Sequence, residues 1–402
     1  MNSRILFFSN PKILVLLCFI LLLALGFVNV FSASFVYAAT EMNSTYHFAI
    51  RYLLFALAGM ACIIAVRKVG YYQLLNQNIL LFFGSLTLML LIYVLAFGPE
   101  INAAHRWIDF RFFNFQPSEF AKLFIVMLFS SLLGNHIQDG KAANVFHTPT
   151  SLCLFITAIF SFLVYVQPDL GTASIIAGLA AFMCFIGGIR WIQIALAGIA
   201  ALVIAVAATW YAPYRLARIF MWLDPWKDPT GSGYQMVQSQ IAIGSGGLTG
   251  MDWGAGTSKF FFLPELHTDF AFAIYCQENG FIGAMVLILL FSLLGLGLWT
   301  ISRRASDPTG ALLAGGVCIL VVGQAVANMA MVCGLLPIIG VPLSFISYGG
   351  SSMIVSSIAL GLALSVYDCE YEKLKTLEII DNVEEDTSAN PHGLRIIRGG
   401  KA

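Results

Sequence analysis

Residues 13–31 read ILVLLCFILLLALGFVNVF, an apolar run without a single charged side chain. A helix needs about 20 mostly apolar residues to cross the hydrocarbon core of a bilayer, and this run has that length. Arg4 and Lys12 precede it, as cations precede the apolar core of a secretory signal peptide. Such a core spans only roughly 7–15 residues, however. We therefore predict an uncleaved first transmembrane helix.

The composition of the whole chain has the same character. Of its 402 residues, 59% are hydrophobic and 10% are charged, whereas soluble domains average roughly 45–50% and 25%. The 21 cations balance the 21 acids, so the formal net charge is +0. These values exclude a disordered chain, a nucleic-acid binder with a basic face and an ordinary soluble enzyme. They predict an integral membrane protein.

Nine further apolar runs follow the first one, so we expect an all-α polytopic membrane protein with about ten transmembrane helices. Their approximate bounds are 48–66, 77–97, 118–134, 150–166, 170–187, 191–210, 270–299, 311–333 and 344–366.

The distribution of cations predicts the topology. Short connections after alternate runs carry Lys or Arg, whereas those between them carry none, at residues 34–47, 167–169 and 334–343. Lys and Arg are enriched in cytoplasmic loops, so both termini are expected in the cytoplasm. The predicted organisation is therefore a cytoplasmic N-terminus, a transmembrane domain and an acidic cytoplasmic tail, which is flexible or docks partners, at residues 1–12, 13–367 and 368–402.

Two extracytoplasmic connections are long, at residues 98–117 and at about 211–269 between the seventh and eighth spans. Loops of this length in a compact domain are usually functional or disordered. The second is rich in tryptophan, which indicates packing against the outer membrane surface. Within it, residues 214–223 predict a short interfacial helix with Arg215 and Arg218 turned to lipid phosphates.

The cysteines and histidines give no metal motif. The eight cysteines lie almost all in apolar runs without a CxxC pair, and the six histidines are scattered. We therefore expect packing cysteines and no metal site built by the protein itself.

Ionisable groups at membrane depth are candidates for function. Pro117 fits the first turn of a helix, which places Glu119 in that turn and Lys122 close enough to pair with it. The pair is either a structural ion pair or a cation held for an anionic substrate group. Asp169, in a tight outer turn, is either a helix cap or a functional carboxylate.

Asp269 ends the long loop and opens a span, where it either caps the helix or acts as a general base. Glu278 lies nine residues further, which is half a turn out of phase and about 13.5 Å deeper in a regular helix. The two carboxylates therefore cannot share one site, and Glu278 is expected to be buried and paired with another span. The glycines near residue 246 match neither nucleotide-binding template.

Repeated Gly and Pro forbid a regular helix through residues 334–342. Irregular backbone at membrane depth is tolerated where it is covered or lines a cavity. Gln324 and Asn328 lie on one helix face at i,i+4, which favours a polar cavity wall over a simple turn between spans.

Several segments, taken in order, resemble the SEDS family (shape, elongation, division and sporulation) of bacterial cell-wall proteins. The likeness covers roughly residues 20–366. It depends on FSAS at 31–34, RWI at 106–108, FQPSE at 115–119, QPDLG at 167–171, GSGG at 244–247, FLPE at 262–265 with HTDF at 267–270, and the stretch 342–352.

The resemblance implies peptidoglycan glycosyltransfer, in which lipid II is polymerised outside the cytoplasmic membrane with a class B penicillin-binding protein as partner. It implies that Asp269 is the essential aspartate and that one cavity holds the residues matching the family's other motifs, Arg106, Trp107, Glu119 and Lys122. The usual Glu-Glu pair appears here as Gln277-Glu278, a departure from the pattern. Ser351 and Lys259 favour the division type.

The resulting hypothesis makes Asp269 the general base, with cations stabilising the pyrophosphate leaving group. Mg²⁺ bound through substrate phosphates is the cofactor that this chemistry admits. A lipid II flippase and a non-enzymatic scaffold for division proteins are the alternatives. The expected substrate-binding residues are Arg106, Trp107, Glu119, Lys122, Arg215, Arg218, His267, Asn328 and Ser347.

Overall fold

The computed structural model describes residues 10–42, 44–99, 105–110, 113–141, 143–210, 221–260 and 266–389; for 201–210 and 377–389 it describes only the backbone. The helices are α1 (Pro11–Glu41), α2 (His47–Val69), α3 (Tyr71–Leu74), α4 (Gln77–Phe97), α5 (Pro117–Gln138), α6 (Thr148–Val166), α7 (Leu170–Ile186), α8 (Trp191–Trp210), α9 (Tyr234–Ser245), α10 (Ala271–Arg304), α11 (Pro308–Cys318), α12 (Gln324–Val332) and α13 (Gly350–Ala389). A short antiparallel ribbon pairs β1 (Ile108–Asp109) with β2 (Asn114–Phe115).

Eight helical segments in the described part of the chain are long and apolar enough to cross a membrane. One of them combines α11 and α12, which the π-helical turn Ile319–Gly323 joins. The helices α7 and α8 are shorter apolar helices. Each of the ten apolar runs coincides with one of these segments, so the predicted all-α polytopic membrane fold is confirmed, with the β1–β2 ribbon as an unpredicted addition.

The helices α5 and α13 lie at the centre of the bundle. In each of them, 72% of the most apolar 18-residue stretch is buried, compared with 28% of the corresponding stretch in α2, α4 and α6. Those three helices therefore expose most of their surface to lipid. The central α13 packs against α2. A Cβ on Gly59 of α2 would lie 2.4 Å from Ser357 Oγ of α13, so a glycine permits this close approach of the two backbones.

Two irregular segments interrupt the helices. Gly280 breaks α10 with φ 64° and ψ −165°, a left-handed conformation that favours glycine. Residues 333–349, between α12 and α13, are turns and coil, as the repeated Gly and Pro predicted.

Three regions differ from the prediction. The first helix extends to Glu41, beyond the expected end of its apolar run. The connection 211–269 contains α9 and two 3₁₀ turns, Pro225–Lys227 and Thr257–Lys259, within its described residues. The expected tail begins inside α13, which continues as a helix to Ala389, because its Glu, Lys and Leu residues are good helix formers.

Candidate active site

Asp269 lies in the turn at residues 266–270, immediately before α10. The N-cap residue of α10 is Phe270, and no side chain caps the helix. The alternative that Asp269 is the N-cap residue is therefore wrong. The backbone carbonyl of Asp269 accepts a hydrogen bond from Asn328 Nδ2 at 2.8 Å. Its side chain is half-buried, which leaves the carboxylate within reach of a substrate.

Gly340 brings Asp269 and Arg106 together. A Cβ built on this glycine would lie 3.5 Å from Asp269 Oδ2 and 4.0 Å from Arg106 Nη1. Arg106 donates from Nε to the carbonyl of Gln167 at 3.4 Å and from Nη2 to the carbonyl of Pro168. A carboxylate and a guanidinium therefore flank one glycine, where three connections distant in sequence meet.

Asp169 caps α7, which confirms the structural reading of this residue. Its carboxylate accepts from the Thr172 N–H at 3.1 Å and from the Thr172 hydroxyl at 2.9 Å, and Gln116 Nε2 donates to it at 3.4 Å. Burial raises the pKa of Asp169, while the Arg106 charge and the Thr172 hydrogen bonds act in the opposite direction. Asp169 thus supports the turn on which Arg106 is anchored.

Glu119 and Lys122 form the predicted ion pair, with Lys122 Nζ 2.6 Å from Glu119 Oε1. Lys122 also donates to Gln324 Oε1 at 2.6 Å, and Gln324 Nε2 donates to the carbonyl of Pro342 at 3.0 Å. The side chains of the ion pair are 0% and 2% exposed. These contacts link α5 through α12 to the segment that carries Gly340. Sequence reasoning missed Gln324 as the third member, although its i,i+4 spacing from Asn328 was the available signal.

Asn328 connects two backbone segments, and the substrate contact expected for it stays a prediction. The residue is 0% exposed, and its Nδ2 donates to the carbonyls of Asp269 at 2.8 Å and Val341 at 2.6 Å. Because both bonds go to backbone, Asn328 fixes the turn of Asp269 against the segment at Val341.

Three further residues predicted to bind substrate, His267, Ser347 and Trp107, lie among the described residues. The ring of His267 packs against Phe48 and Tyr348, with centroids 4.5 Å and 5.8 Å away. Ser347 is buried, and its hydroxyl accepts the N–H of Leu343 within the same turn at 3.0 Å. Trp107 is half-buried.

Arg215, Arg218 and the stretch 261–265 lie outside the described residues. Trp222 donates from Nε1 to the carbonyl of Gly334 at 3.1 Å, so part of the long connection packs on the irregular segment 333–349. Among the described residues, no three His, Cys, Asp or Glu side chains gather to hold a metal ion.

The chemistry of this arrangement follows from its charges. The carboxylate of Asp269 can accept a proton from a bound hydroxyl group. The neighbouring guanidinium of Arg106 can stabilise an anion, whereas the charge of Lys122 is paired with Glu119. Such a site suits a reaction in which a hydroxyl attacks and an anionic group leaves.

Comparisons with known proteins agree with this chemistry. The profile of the FtsW/RodA/SpoVE family, described as cell cycle proteins, matches residues 12–372. The chain is 36% identical to stage V sporulation protein E of Bacillus subtilis (strain 168), over 89% of this chain and 97% of that protein. It is 37% identical to a probable peptidoglycan glycosyltransferase FtsW of Geobacter metallireducens, over 88% and 94% of the two chains.

Two solved structures are similar in fold. A chain from a peptidoglycan synthase complex, described as coordinating polymerization and crosslinking, aligns with a TM-score of 0.74 and 27% identity over 89% of this chain and 97% of that one. The rod shape determining protein RodA of Thermus thermophilus aligns with a TM-score of 0.64 and 26% identity, over 89% and 96% of the two chains.

Proposed function

Because the chain belongs to the FtsW/RodA/SpoVE family of cell cycle proteins, we propose that it is a peptidoglycan glycosyltransferase. It polymerises lipid II into glycan strands at the outer face of the bacterial cytoplasmic membrane, during cell division or wall growth. Relatives named probable peptidoglycan glycosyltransferase FtsW support this function. The observation that carries it is that Asp269 Oδ2 and Arg106 Nη1 both lie within 4.0 Å of a Cβ built on Gly340.

Asp269 acts as the general base. The 4-hydroxyl oxygen of the acceptor sugar forms a bond to C1 of the donor sugar, while its proton passes to the Asp269 carboxylate. The bond between C1 and the pyrophosphate oxygen breaks, and the lipid pyrophosphate leaves with the electron pair. Arg106 stabilises the negative charge that grows on this leaving group.

The buried groups keep this geometry in place. Lys122 is fully buried and paired, so it acts through Gln324, which donates to the carbonyl of Pro342. Asn328 donates to the backbone carbonyl of Asp269. Substrate binding by Trp107, His267, Ser347, Arg215 and Arg218 stays a prediction.

A divalent cation fits this site as part of the substrate. Mg²⁺ keeps several waters and binds through one or two carboxylates together with substrate phosphates. The donor set of the described residues, which has no group of three metal-ligating side chains, suits an ion carried by the pyrophosphate.

The proposed topology has ten transmembrane helices, with α7 and α8 added to the eight long segments, and both termini in the cytoplasm. Its support is the position of the cations. Arg67 and Lys68 lie in the last turn of α2, and Arg303 and Arg304 lie in the last turn of α10, the helix whose other end follows Asp269. The positive-inside rule then places the site at the outer face.

A class B penicillin-binding protein is the proposed partner. The solved peptidoglycan synthase complex supports this assignment, because one of its chains has the fold of this protein. Similarity to FtsW proteins and to sporulation protein E supports the division type over the elongation type, with other division proteins as further partners.

The first prediction concerns Asp269→Asn, which keeps the shape of the side chain and removes the base. Purified protein with its partner, given lipid II in detergent micelles, should make no detectable glycan when it carries this substitution. The wild type should make polymer, and Asp139→Asn, a surface carboxylate 64% exposed, should match the wild type.

The micelle assay also separates the glycosyltransferase from both alternatives. Neither a flippase nor a scaffold makes glycan in a micelle, so a wild-type protein without polymer there would contradict the proposed function. Movement of labelled lipid II between the two leaflets of a vesicle would then distinguish a flippase from a scaffold. Full-length polymer from Asp269→Asn would remove Asp269 as the base.

A further inference from the structure

A second buried polar cluster lies outside the described site, on the same stretch of chain as Asp269. From its contacts we infer that Lys259 and Glu278 are a positioning pair, which fixes the segment carrying Asp269 for catalysis. This inference rests on the proposed glycosyltransferase function.

Lys259 and Glu278 form a buried ion pair. Lys259 Nζ lies 3.4 Å from Glu278 Oε1, and the side chains are 5% and 1% exposed. Lys259 also donates to the carbonyl of Gly254. Glu278 Oε1 accepts a 2.6 Å hydrogen bond from the Ser32 hydroxyl of α1. The pair therefore ties a loop, α10 and the first helix together, and confirms that Glu278 pairs with another span.

Gln277 completes the attachment. Its Oε1 accepts from the Ser258 N–H at 3.2 Å, and its Nε2 donates to Ser245 Oγ at 2.9 Å and more weakly to Thr257 Oγ1 at 3.4 Å. The amide of Gln277 offers both a donor and an acceptor, whereas an ionised Glu offers acceptors only. The Ser245 hydroxyl already donates to the carbonyl of Ala242, so it needs the donor that the amide supplies. The departure from a Glu-Glu pair thus matches the environment of this residue.

Glycines bring the loop onto the helix backbone. A Cβ on Gly250 would lie 2.0 Å from the carbonyl oxygen of Glu278, and one on Gly280 would lie 2.3 Å from the nitrogen of Gly250. Beyond the break at Gly280, the N–H of Phe281 donates to the carbonyl of Gly247 at 2.9 Å. The loop thus occupies hydrogen-bonding positions that a continuous helix would fill itself.

The Lys259–Glu278 pair matters for Asp269 because Asp269 lies between its two members in the sequence. Asp269 lies ten residues after Lys259 and nine before Glu278, and the turn at 266–270 leads directly into α10, where Glu278 is anchored by the ion pair. We expect this anchoring to limit the movement of the turn relative to Gly340. A displacement of the reacting group by about 1 Å can lower a rate about a hundredfold.

The experiment compares Lys259→Met and Lys259→Arg with wild type, and uses Lys141→Met as the matched control. Lys141 also forms an ion pair, in its case with Asp139, but its side chain is 61% exposed. Polymerisation of lipid II gives kcat and KM, and hydrogen exchange by mass spectrometry follows the peptide that covers residues 266–276.

We expect Lys259→Met to lower kcat at least tenfold, with KM for lipid II changed less than about threefold, because the pair positions the base and does not bind the substrate. Exchange in the 266–276 peptide should rise in this variant. Lys259→Arg should restore both values to near wild type, and Lys141→Met should change neither.

Two results would overturn the inference: unchanged exchange in the 266–276 peptide of folded Lys259→Met, or a loss of activity that only follows the loss of folded protein. Glu278→Gln, which keeps the acceptor for Ser32, serves if Lys259→Met does not fold, and the same two readouts apply. If the wild type makes no glycan but exchange still rises in the variant, the proposed function fails while the positioning role stands.

Discussion

Gly340 lies beside Asp269 and Arg106 and has a left-handed backbone conformation. Its φ is +64°, a region that costs a residue with a side chain about 1–2 kcal/mol. The neighbouring Asp269 and Arg106 atoms leave ordinary contact distances for a Cβ, 3.5 Å and 4.0 Å. Strain in the backbone, and not a steric clash, is therefore the cost of a side chain at this position.

We predict that Gly340→Ala lowers the polymerisation rate about tenfold, because relief of the strain moves the backbone between the base and the guanidinium. Gly70→Ala is the matched control, since Gly70 has φ +84° and nothing within 4 Å of its built Cβ. Both variants should lose about 1–2 kcal/mol of stability, measured by thermal unfolding in detergent. Equal activity in the two variants would contradict a specific role for Gly340.

Local spacing decides which site residues were predictable. The Glu119–Lys122 pair and the Asp169 cap are contacts within one helical turn, which residue types and spacing reveal directly. The contacts of Gly340 with Asp269 and Arg106 join segments far apart in the chain, and no local pattern reports them. Asn328 was recognised as polar and inward-facing, but its bonds to backbone carbonyls depend on tertiary packing.

At the scale of elements, the first turn of α7 lies directly against the segment that carries Gly340. A Cβ on Gly171 would lie 1.7 Å from the carbonyl oxygen of Ile339, a distance at which the backbone has to move. The glycine therefore sets the separation between α7 and the residue preceding Gly340.

Gly171→Ala should lower both the unfolding temperature and the polymerisation rate, because Ile339 would be pushed from α7 together with Gly340. Gly178, in the same helix, has nothing within 4 Å of its built Cβ. Gly178→Ala should keep full activity and unfold at the same or a higher temperature. The pair is measured by thermal unfolding and by the micelle assay, and wild-type behaviour of Gly171→Ala would disprove the close contact.

Hydrophobic runs predicted the elements well and their ends poorly. Lipid-facing helices such as α4 and α6 are marked by continuous apolar sequence, and their bounds agree with the prediction. The end of α13 was missed because apolar composition stops near residue 368, while helix propensity continues. The order in the 211–269 connection depends on glycines packed against α10, which composition does not report.

At the scale of the molecule, Asp368 of α13 joins this helix to α1 and α2. Its carboxylate pairs with Lys12 at the start of α1 and with Arg67 at the end of α2, both at 2.7 Å. These two ion pairs hold α1, α2 and α13 together at the end of the bundle opposite Asp269. The side chains are 27–29% exposed, so solvent screening keeps the contribution to about 1 kcal/mol.

We predict that Asp368→Asn lowers the unfolding temperature slightly at low salt, and that the difference from wild type shrinks as salt is added. Polymerisation in micelles should stay near the wild-type rate. Asp139→Asn, which removes a pair with side chains 61% and 64% exposed, should not change the unfolding temperature. A salt-independent effect of Asp368→Asn would show that packing, and not charge, stabilises the contact of Asp368 with α1 and α2.

The length of α13 has a mechanical consequence. At 1.5 Å per residue its 40 residues extend about 60 Å, about twice the hydrocarbon thickness of a bilayer. Its first part is held inside the bundle, where most of the apolar stretch is buried, whereas residues 371–376 are exposed. A force applied to the exposed part is therefore transmitted along one continuous helix to its first turn at Gly350, directly after the irregular segment 333–349.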